Sequence, residues 1–351
     1  MSATPRAVSA TPRVSLLMPN HNNARILDHV LDRLATNTTY PDVELVVIDD
    51  GSSDGSREIL RRWERLERLP GLRLIEQEHR GVIEALNAGL RQATGELVVQ
   101  LDADASLETP GWLEQMVQFF CSDERIGVLT AKVVFDWGEI HTCGVNLIEP
   151  AGLHGRGSVI TEPVGRRTYH ERVARFREGE CPDCEIIAEV DAGAGCCMMF
   201  RREAALEAGG YDRAYAPVWF DDLDLTIAIR RLGLKVFFTP NVRVVHHVGQ
   251  RVADEPARRR AVELLRGGVR RAVPPEARHR VARAIGMDPL PRRTRARLRH
   301  HYAYWRAKWG FDLLNPDMED IARRWGDTEL CWRLDPERRR AGEQIAAASS
   351  G

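Results

Sequence analysis

The stretch "ELVVQLDADASLE", residues 96–108, runs an apolar segment directly into two aspartates one residue apart, Asp102 and Asp104. A short apolar run bounded by turn signals reads as a strand covered on both faces. Burying either carboxylate without compensation is very costly. Something positive is therefore expected at the end of this strand.

Working outward, the same construction recurs. "VSLLMP", residues 14–19, is an apolar run stopped by Pro19 and followed by "NHNN", and "VELVVIDDGSSDGS", residues 43–56, is a second strand ending in acidic residues and glycines. Helices are predicted over 24–36, 57–68 and 82–93, and a strand over 72–76. In the first helix Ile26, Leu27, Val30, Leu31 and Leu34 recur at helical spacing. After the opening stretch, Thr109 as cap and Pro110 at the first helical position predict a helix through Phe120. Strands alternating with helices imply a parallel sheet covered on both faces. In such sheets ligands bind at the carboxyl ends of the strands, where Asp49, Asp50, Asp102 and Asp104 all fall. Neither a G-x-G-x-x-G turn nor a G-x-x-x-x-G-K-[ST] loop is present, which removes support for nicotinamide-type and P-loop readings.

The chain has 351 residues, 43% hydrophobic and 29% charged, enough for a full core and an appendage. Its net charge of −1 conceals an asymmetry: residues 251–310 carry 17 Arg+Lys against 5 Asp+Glu, leaving −13 for the remainder. An acidic body argues against a nucleic-acid partner. The basic segment reads as solvated helix faces, with contact to an anionic membrane surface as the alternative. No apolar run reaches the roughly 18 residues of a membrane span, and no apolar h-region follows the N-terminus, so the expected location is cytoplasmic, with peripheral contact at the inner face of the membrane left open. Seven cysteines scattered through a chain of this size read as reduced thiols. Residues 1–13, with "SATPR" twice, read as a disordered leader.

Asp-x-Asp after a strand offers hard oxygen ligands to Mg²⁺ or Mn²⁺. Such an ion offsets the buried charge and admits a diphosphate that the carboxylates would otherwise repel. A second acidic group, "WFDDLDL" at 219–225, places Asp221, Asp222 and Asp224 before a helix through Leu232 that closes at Gly233. The helix dipole is expected to keep these carboxylates ionised. One reading is a plain N-cap, the other a general base. The glycine-rich "DAGAGCCMMF", 191–200, leaves room for a ligand nearby.

Six ordered motifs carry a resemblance. "SLLMPNHNN", "ELVVIDDGSSDGS", "GVIEALNAGLRQATGELVVQLDADASLE", "GAGCCMMFRREAALEAGGYD", "FDDLDLTIAIRRLG" and "VRVVHHVG" follow the order and spacing of inverting family 2 glycosyltransferases, most similar to the rhamnosyltransferase-type branch, over about residues 14–250. The resemblance implies an α/β fold of GT-A type: a mostly parallel twisted sheet sandwiched by helices at 14–250, with a helical Arg- and Trp-rich region at 251–351. It implies transfer of a sugar from a UDP- or dTDP-linked donor to a glycan, lipid-linked or protein acceptor, in cell-surface glycan synthesis. By the same resemblance the Pro19, Asn20, Asn22 loop and one of Asp49 or Asp50 hold the base and ribose. Asp102, Ala103 and Asp104 hold the metal and diphosphate, and Asp222 is the base, with Asp221 as fallback. His246 or His247 corresponds to a late histidine near the metal. His247 is the expected ligand, with a structural role at a strand end as the alternative.

Departures from the family pattern matter. Many relatives carry an arginine, as "ARN", in the helix after the strand at 72–76, where this chain has "ALNAG" at 85–89, so Arg80 is the substitute expected at the diphosphate. The segment 138–190 exceeds the family core and contains "CPDC", 181–184. One Cys-x-x-C without a second pair is weak evidence for zinc, and a loop over the acceptor is the preferred reading. Trp219 reads as core packing, with stacking on an acceptor sugar as the alternative. Trp305, Trp309, Trp325 and Trp332 are expected to pack the tail against the catalytic part or a second subunit. A sugar nucleotidyltransferase and a non-catalytic nucleotide-binding relative are the competing readings. The first lacks the glycine- and basic-rich signature of a triphosphate site, and intact Asp102, Asp104 and Asp222 argue against the second.

Overall fold

The computed structural model describes residues 8–9, 11–69, 71–136, 138, 140–148, 152–155, 178–179, 184–247, 292–311 and 313. The alternation expected from the first third of the sequence is present: β1 (Val14–Asn20), α1 (Ala24–Asn37), β2 (Val43–Asp50), α2 (Ser56–Leu66), β3 (Leu72–Gln77), α3 (Val82–Gln92) and β4 (Leu97–Leu101). Every residue of β1, β2 and β4 is buried, as continuous apolar runs require. The chain continues through β5 (Ala105–Leu107), α4 (Trp112–Cys121), β6 (Ile126–Phe135), β7 (Ile140–Thr142), β8 (Val145–Ile148), β9 (Gly152–Gly155) and β10 (Ala188–Glu189). It then forms β11 (Cys197–Arg201), α5 (Arg202–Glu207), α6 (Asp221–Arg230), β12 (Lys235–His246) and α7 (Arg292–Trp309).

Ten strands form one sheet with the main order β10-β12-β6-β11-β4-β1-β2-β3, and β5 and β7 pair with β12 and β6. β8 and β9 pair separately. The β4-β1-β2-β3 half is parallel. Beyond it β11 is antiparallel to both β4 and β6, so the sheet is mixed on that side. The register sets Asn20 beside Asp49, and Asp50 beside Gln77, so the carboxyl ends of β1, β2 and β3 finish level.

Two apolar layers cover the sheet. Val46 and Ile48 of β2 face the layer containing α3, α6 and α7, whereas Leu45 and Val47 face that of α1, α2 and α4. The spacing of Ile26, Leu27, Val30, Leu31 and Leu34 places all five in the second layer, each at most 6% exposed. Gly89 has a packing reason: a Cβ there would lie 1.9 Å from Leu17 Cδ1, so α3 sits directly on β1.

Three expectations change. α4 begins at Trp112 after Gly111 in a left-handed conformation (φ +63°), not at Thr109 and Pro110. Thr109 Oγ1 instead accepts the Arg243 N–H, because β5 runs antiparallel to β12 and draws this segment to it. The stretch read as a leader is attached at its far end: Ser9 donates to the Glu96 carboxylate, and Arg13 Nε donates to Thr94 Oγ1. Trp219 is 38% exposed rather than packed in the core. It and Phe220 both have positive φ (+81° and +72°), a pair of left-handed residues that turns the first ring outward while Phe220 is buried against α7.

α7 is the described part of the C-terminal region. Trp305 is fully buried beside Phe220 and Phe311, and Trp309 is 9% exposed. Lys308 Nζ reaches Asp212 and Asp224 at 2.7 Å each, and Trp309 Nε1 donates to Asp224 at 2.8 Å. Trp325, Trp332 and Cys181 of "CPDC" lie outside the described residues, as does most of 138–190. Among the described residues no helix is long and apolar enough to cross a membrane, and Cys121, Cys143, Cys196 and Cys197 are free thiols.

Candidate active site

A cleft of about 720 Å³ opens at the carboxyl ends of β1, β2 and β4. Pro19, Asn20, Asp50, Asp102, Ala103, Asp104, Asp221, Asp222 and His246 line it, joined by His21, His79, Gln100, His141, Gly195, Cys196 and Trp219. Asp49, Asn22, Arg80 and His247 are not among the lining groups.

The two adjacent aspartates of β2 have different surroundings. Asp49, fully buried, accepts from Asn20 Nδ2, from Ser52 N and Oγ and from Arg57 Nε. Burial pushes its carboxyl up, but the bonds from Ser52, Arg57 and Asn20 outweigh that and hold it below its ordinary value. Asp50 follows Val46 and Ile48 onto the other face and reaches the cleft. Burial raises it too, and Gln77, the N–H groups of Arg80 and Gly81, and His79 bring it below its ordinary value. His21 and His79 stack beside it with ring centroids 4.1 Å apart. Arg80 thus contributes a backbone N–H to Asp50 rather than a guanidinium at the cleft. Asn22, at φ +55°, braces the loop by accepting from Ser53 N.

After β4 the chain turns at Asp102 and returns as β5, antiparallel to β12, which sets His246 opposite Ala105. His246 Nε2 consequently lies 3.2 Å from Asp104 Oδ1 and 3.7 Å from Asp102 Oδ2. The three side chains bring potential ligand atoms within 4.8 Å of one another. His247, one residue on, points the other way, with Nε2 2.9 Å from Ser106 Oγ and its ring edge-on to His29. Of the two histidines considered, the one beside the aspartates is His246, because successive strand residues face opposite sides.

The acidic pair lines the same cleft at the start of α6. Asp222 Oδ2 accepts the Gly195 N–H at 2.9 Å and Oδ1 accepts the Leu223 N–H at 2.7 Å, so both oxygens are oriented by backbone. A side chain at Gly195 would displace Gln100: a Cβ would lie 2.4 Å from Gln100 Nε2 and 3.3 Å from Asp222 Cβ. Tyr211 OH in turn donates to Gln100 Oε1. The expectation that the helix dipole keeps these carboxylates ionised does not hold for Asp221. Burial and the Asp222 charge push Asp221 up to about 8, and burial raises Asp222 as well. Desolvation outweighs a dipole effect of about 1 kcal/mol. A cleft whose carboxylates raise one another is one that a divalent cation stabilises, and the Asp102, Asp104 and His246 donor set, two hard oxygens and an imidazole, fits such an ion.

His21, Gln100 and Cys196 also enter the site from within the quoted motifs without having been singled out, and His79 and His141 enter it from outside them. Burial and His246 pull His141 down to about 3, and burial raises the Cys196 thiol well above its ordinary value. Asn87 of "ALNAG" is structural: its side chain exchanges hydrogen bonds with the Tyr211 backbone.

A mixed sheet covered by helices on both faces, with an acidic cleft at its strand ends, defines an α/β protein with a candidate ligand site. Residues 15–207, more than half of the chain, match Glycosyl transferase family 2, and the chain belongs to that family. An O-antigen biosynthesis protein of Myxococcus xanthus is 26% identical over 242 residues, 68% of this chain and 18% of the relative. Validoxylamine A glucosyltransferase of Streptomyces hygroscopicus subsp. limoneus is 40% identical over 133 residues, 37% of this chain and 27% of the relative. The match thus spans only about a quarter or less of these relatives' lengths. The solved structure of GalNAc-T7 with UDP, GalNAc and Mn²⁺ shares the fold at a TM-score of 0.50 and 20% identity, over 68% of this chain and 44% of that one.

Proposed function

We propose that this chain is a metal-dependent, inverting glycosyltransferase that moves a hexosyl or deoxyhexosyl group from a UDP- or dTDP-linked donor to an acceptor hydroxyl on a glycan, lipid-linked or protein substrate, in cell-surface glycan synthesis. The observation that carries the reading is that Asp102, Asp104 and His246, brought together as potential ligands, line one cleft with Asp222. Pro19, Asn20 and Asp50, with the His21–His79 stack, offer a carboxylate for an imide N–H and ring faces for a base. Asp102, Asp104 and His246 would hold Mg²⁺ or Mn²⁺, which supplies charge neutralisation for the departing diphosphate.

Asp222 acts as the base. Its oxygens are fixed by Gly195 and Leu223, and burial moves its proton affinity up toward the operating pH, which favours proton transfer. It takes the acceptor hydroxyl proton as the oxygen attacks the anomeric carbon from the face opposite the leaving group. Direct displacement inverts that centre and needs no covalent nucleophile. Asp221, protonated beside it, leaves Asp222 the negative charge. Trp219, exposed at the cleft mouth, gives an acceptor sugar a ring to stack on.

Calorimetry tests this directly with UDP, dTDP and GDP, each with and without Mn²⁺ or Mg²⁺, on the parent chain and an Asp102→Asn/Asp104→Asn variant. Binding of UDP or dTDP that needs the metal and disappears in the variant is expected. Absence of binding under every condition refutes the donor site and makes the chain a non-catalytic relative.

A further inference from the structure

His246 has two faces to its chemistry. Nε2 looks at the aspartates, while Nδ1 looks the other way, at a thiol and a second imidazole. Cys196 Sγ lies 3.7 Å from His246 Nδ1 and 3.9 Å from His141 Nδ1, and the two Nδ1 atoms are 3.4 Å apart. These residues come from β7, the loop before β11 and the end of β12, far apart in sequence. Hydrogen bonding accounts poorly for the triangle. Cys196 also has Asp102 as a hydrogen-bond partner, so its single S–H cannot serve the two imidazoles as well, S–H···N contacts at these lengths are weak, and two Nδ1 atoms can share only one proton.

A tetrahedral zinc ion accounts for it better. With Zn–S of about 2.3 Å and Zn–N of about 2.0–2.1 Å, tetrahedral angles separate sulfur from nitrogen by about 3.6 Å and nitrogen from nitrogen by about 3.3 Å. The observed edges agree to within about 0.3 Å, so one ion could reach all three atoms with little movement of the side chains. A second feature points the same way. Asp104 Oδ1 sits 3.2 Å from His246 Nε2, the carboxylate partner that zinc-bound histidines characteristically have on their other nitrogen. Cys196 is 7% exposed, and surrounding carboxylates make the cleft attractive to cations.

We propose that His141, Cys196 and His246 form a second metal site, selective for zinc, with His246 bound through Nδ1 and held in orientation by Asp104. Thiolate selects zinc over Mg²⁺ and Mn²⁺. Binding replaces the Cys196 S–H bond with an S–Zn bond and releases that proton to solvent. Three protein ligands leave a fourth position open to water or to a substrate oxygen. Occupancy also has a consequence for the donor site. While Nδ1 holds zinc, Nε2 carries the ring proton and donates to Asp104, so His246 cannot also ligate an ion held by Asp102 and Asp104. Zinc therefore opposes the hard cation at the neighbouring site.

The test uses the full chain without nucleotide, so its outcome is independent of the donor reading. Titration with Co²⁺ should give a thiolate-to-cobalt charge-transfer band, whatever binds at Asp102 and Asp104, and Zn²⁺ should displace it. The band should disappear in Cys196→Ser, persist in Cys121→Ser, and require at least tenfold more Co²⁺ in His141→Asn. Zinc X-ray absorption on the parent chain should show one sulfur near 2.3 Å with nitrogen or oxygen near 2.0–2.1 Å. No thiolate band in the parent, a band unchanged in Cys196→Ser, or a zinc shell without sulfur overturns the proposal. The absorption measurement decides even where a variant fails to fold.

Discussion

Asp224 holds α7 on the sheet domain, and replacing it should loosen that helix measurably. Its carboxylate, 1% exposed, accepts from Trp309 Nε1 at 2.8 Å and from Lys308 Nζ at 2.7 Å. Asp224→Ala leaves a buried indole N–H without that acceptor, a cost of about 1–3 kcal/mol, and removes a charged hydrogen bond otherwise contributing about 1.5–3 kcal/mol. Lys308 keeps Asp212 at 2.7 Å, so the second effect falls at its lower end. The two together come to about 3 kcal/mol, roughly a 150-fold shift in the docking equilibrium. The two partners' proton affinities respond differently. Burial raises Asp224 in spite of Lys308 and Trp309, whereas Lys308 is raised by Asp212 and Asp224 against the opposing effect of its own burial. Much of the attraction is thus offset by desolvation of the carboxylate, while the short bonds establish that the pair is formed. Asp224→Asn keeps an acceptor for Trp309 without the buried charge and should cost less than half as much. Amide hydrogen exchange over 302–309, with denaturant unfolding alongside, measures both. Unchanged exchange and an unfolding free energy within about 0.5 kcal/mol of the parent for Asp224→Ala would refute the anchoring argument. Equal damage from Asn would show that charge, not the Trp309 bond, carries it.

Three further outcomes follow from the cleft. Between its ordinary value of 3.8 and about 8, folded Asp221 holds a proton that the unfolded chain releases, so metal-free stability should fall as pH rises across that window. Thermal unfolding from pH 5 to 8 should decline less steeply in Asp221→Asn, and identical pH profiles would contradict the buried-pair argument. Gly195→Ala should destabilise by about 1–3 kcal/mol through its clash with Gln100 and lower turnover by displacing Asp222. Wild-type stability in a melt would show that Gln100 yields easily. Asp50→Ala should weaken UDP or dTDP binding and also lower the melting temperature, because Gln77 and the Arg80 and Gly81 N–H groups lose their acceptor. Asp49→Ala should destabilise by about 2 kcal/mol without a direct loss of binding, because buried Asn20 and Ser52 lose their acceptor and the carboxylate does not line the cleft. Calorimetry paired with melting separates the two, and a reversal of these effects would exchange the roles assigned to the aspartates.

Much of this protein was legible locally. The strands β1, β2 and β4 announce themselves as apolar runs, and their acidic tips as carboxylates at strand ends, because each signal lies within a few residues of chain. Helical spacing likewise placed α1 and α3 to within a residue or two. The antiparallel insertion of β11 was not legible, since a short buried strand reads the same in either direction. The start of α4 was missed because Thr109, a plausible cap in isolation, is taken up by Arg243 from β12.

What only the tertiary structure decided has one physical reason throughout. Composition and spacing determined that acidic groups gather at strand ends, and that a tryptophan-rich tail needs a surface to cover. They could not choose between neighbours, Asp49 or Asp50, His246 or His247, because adjacent strand residues face opposite sides and only the packed layers define which side is the cleft. Nor could they raise Asp221, whose proton affinity depends on burial by the surrounding fold and on the charge beside it. The approach of His141 and Cys196 to His246 belongs to the same class: 105 and 50 residues separate them from it, and the sheet alone brings them together.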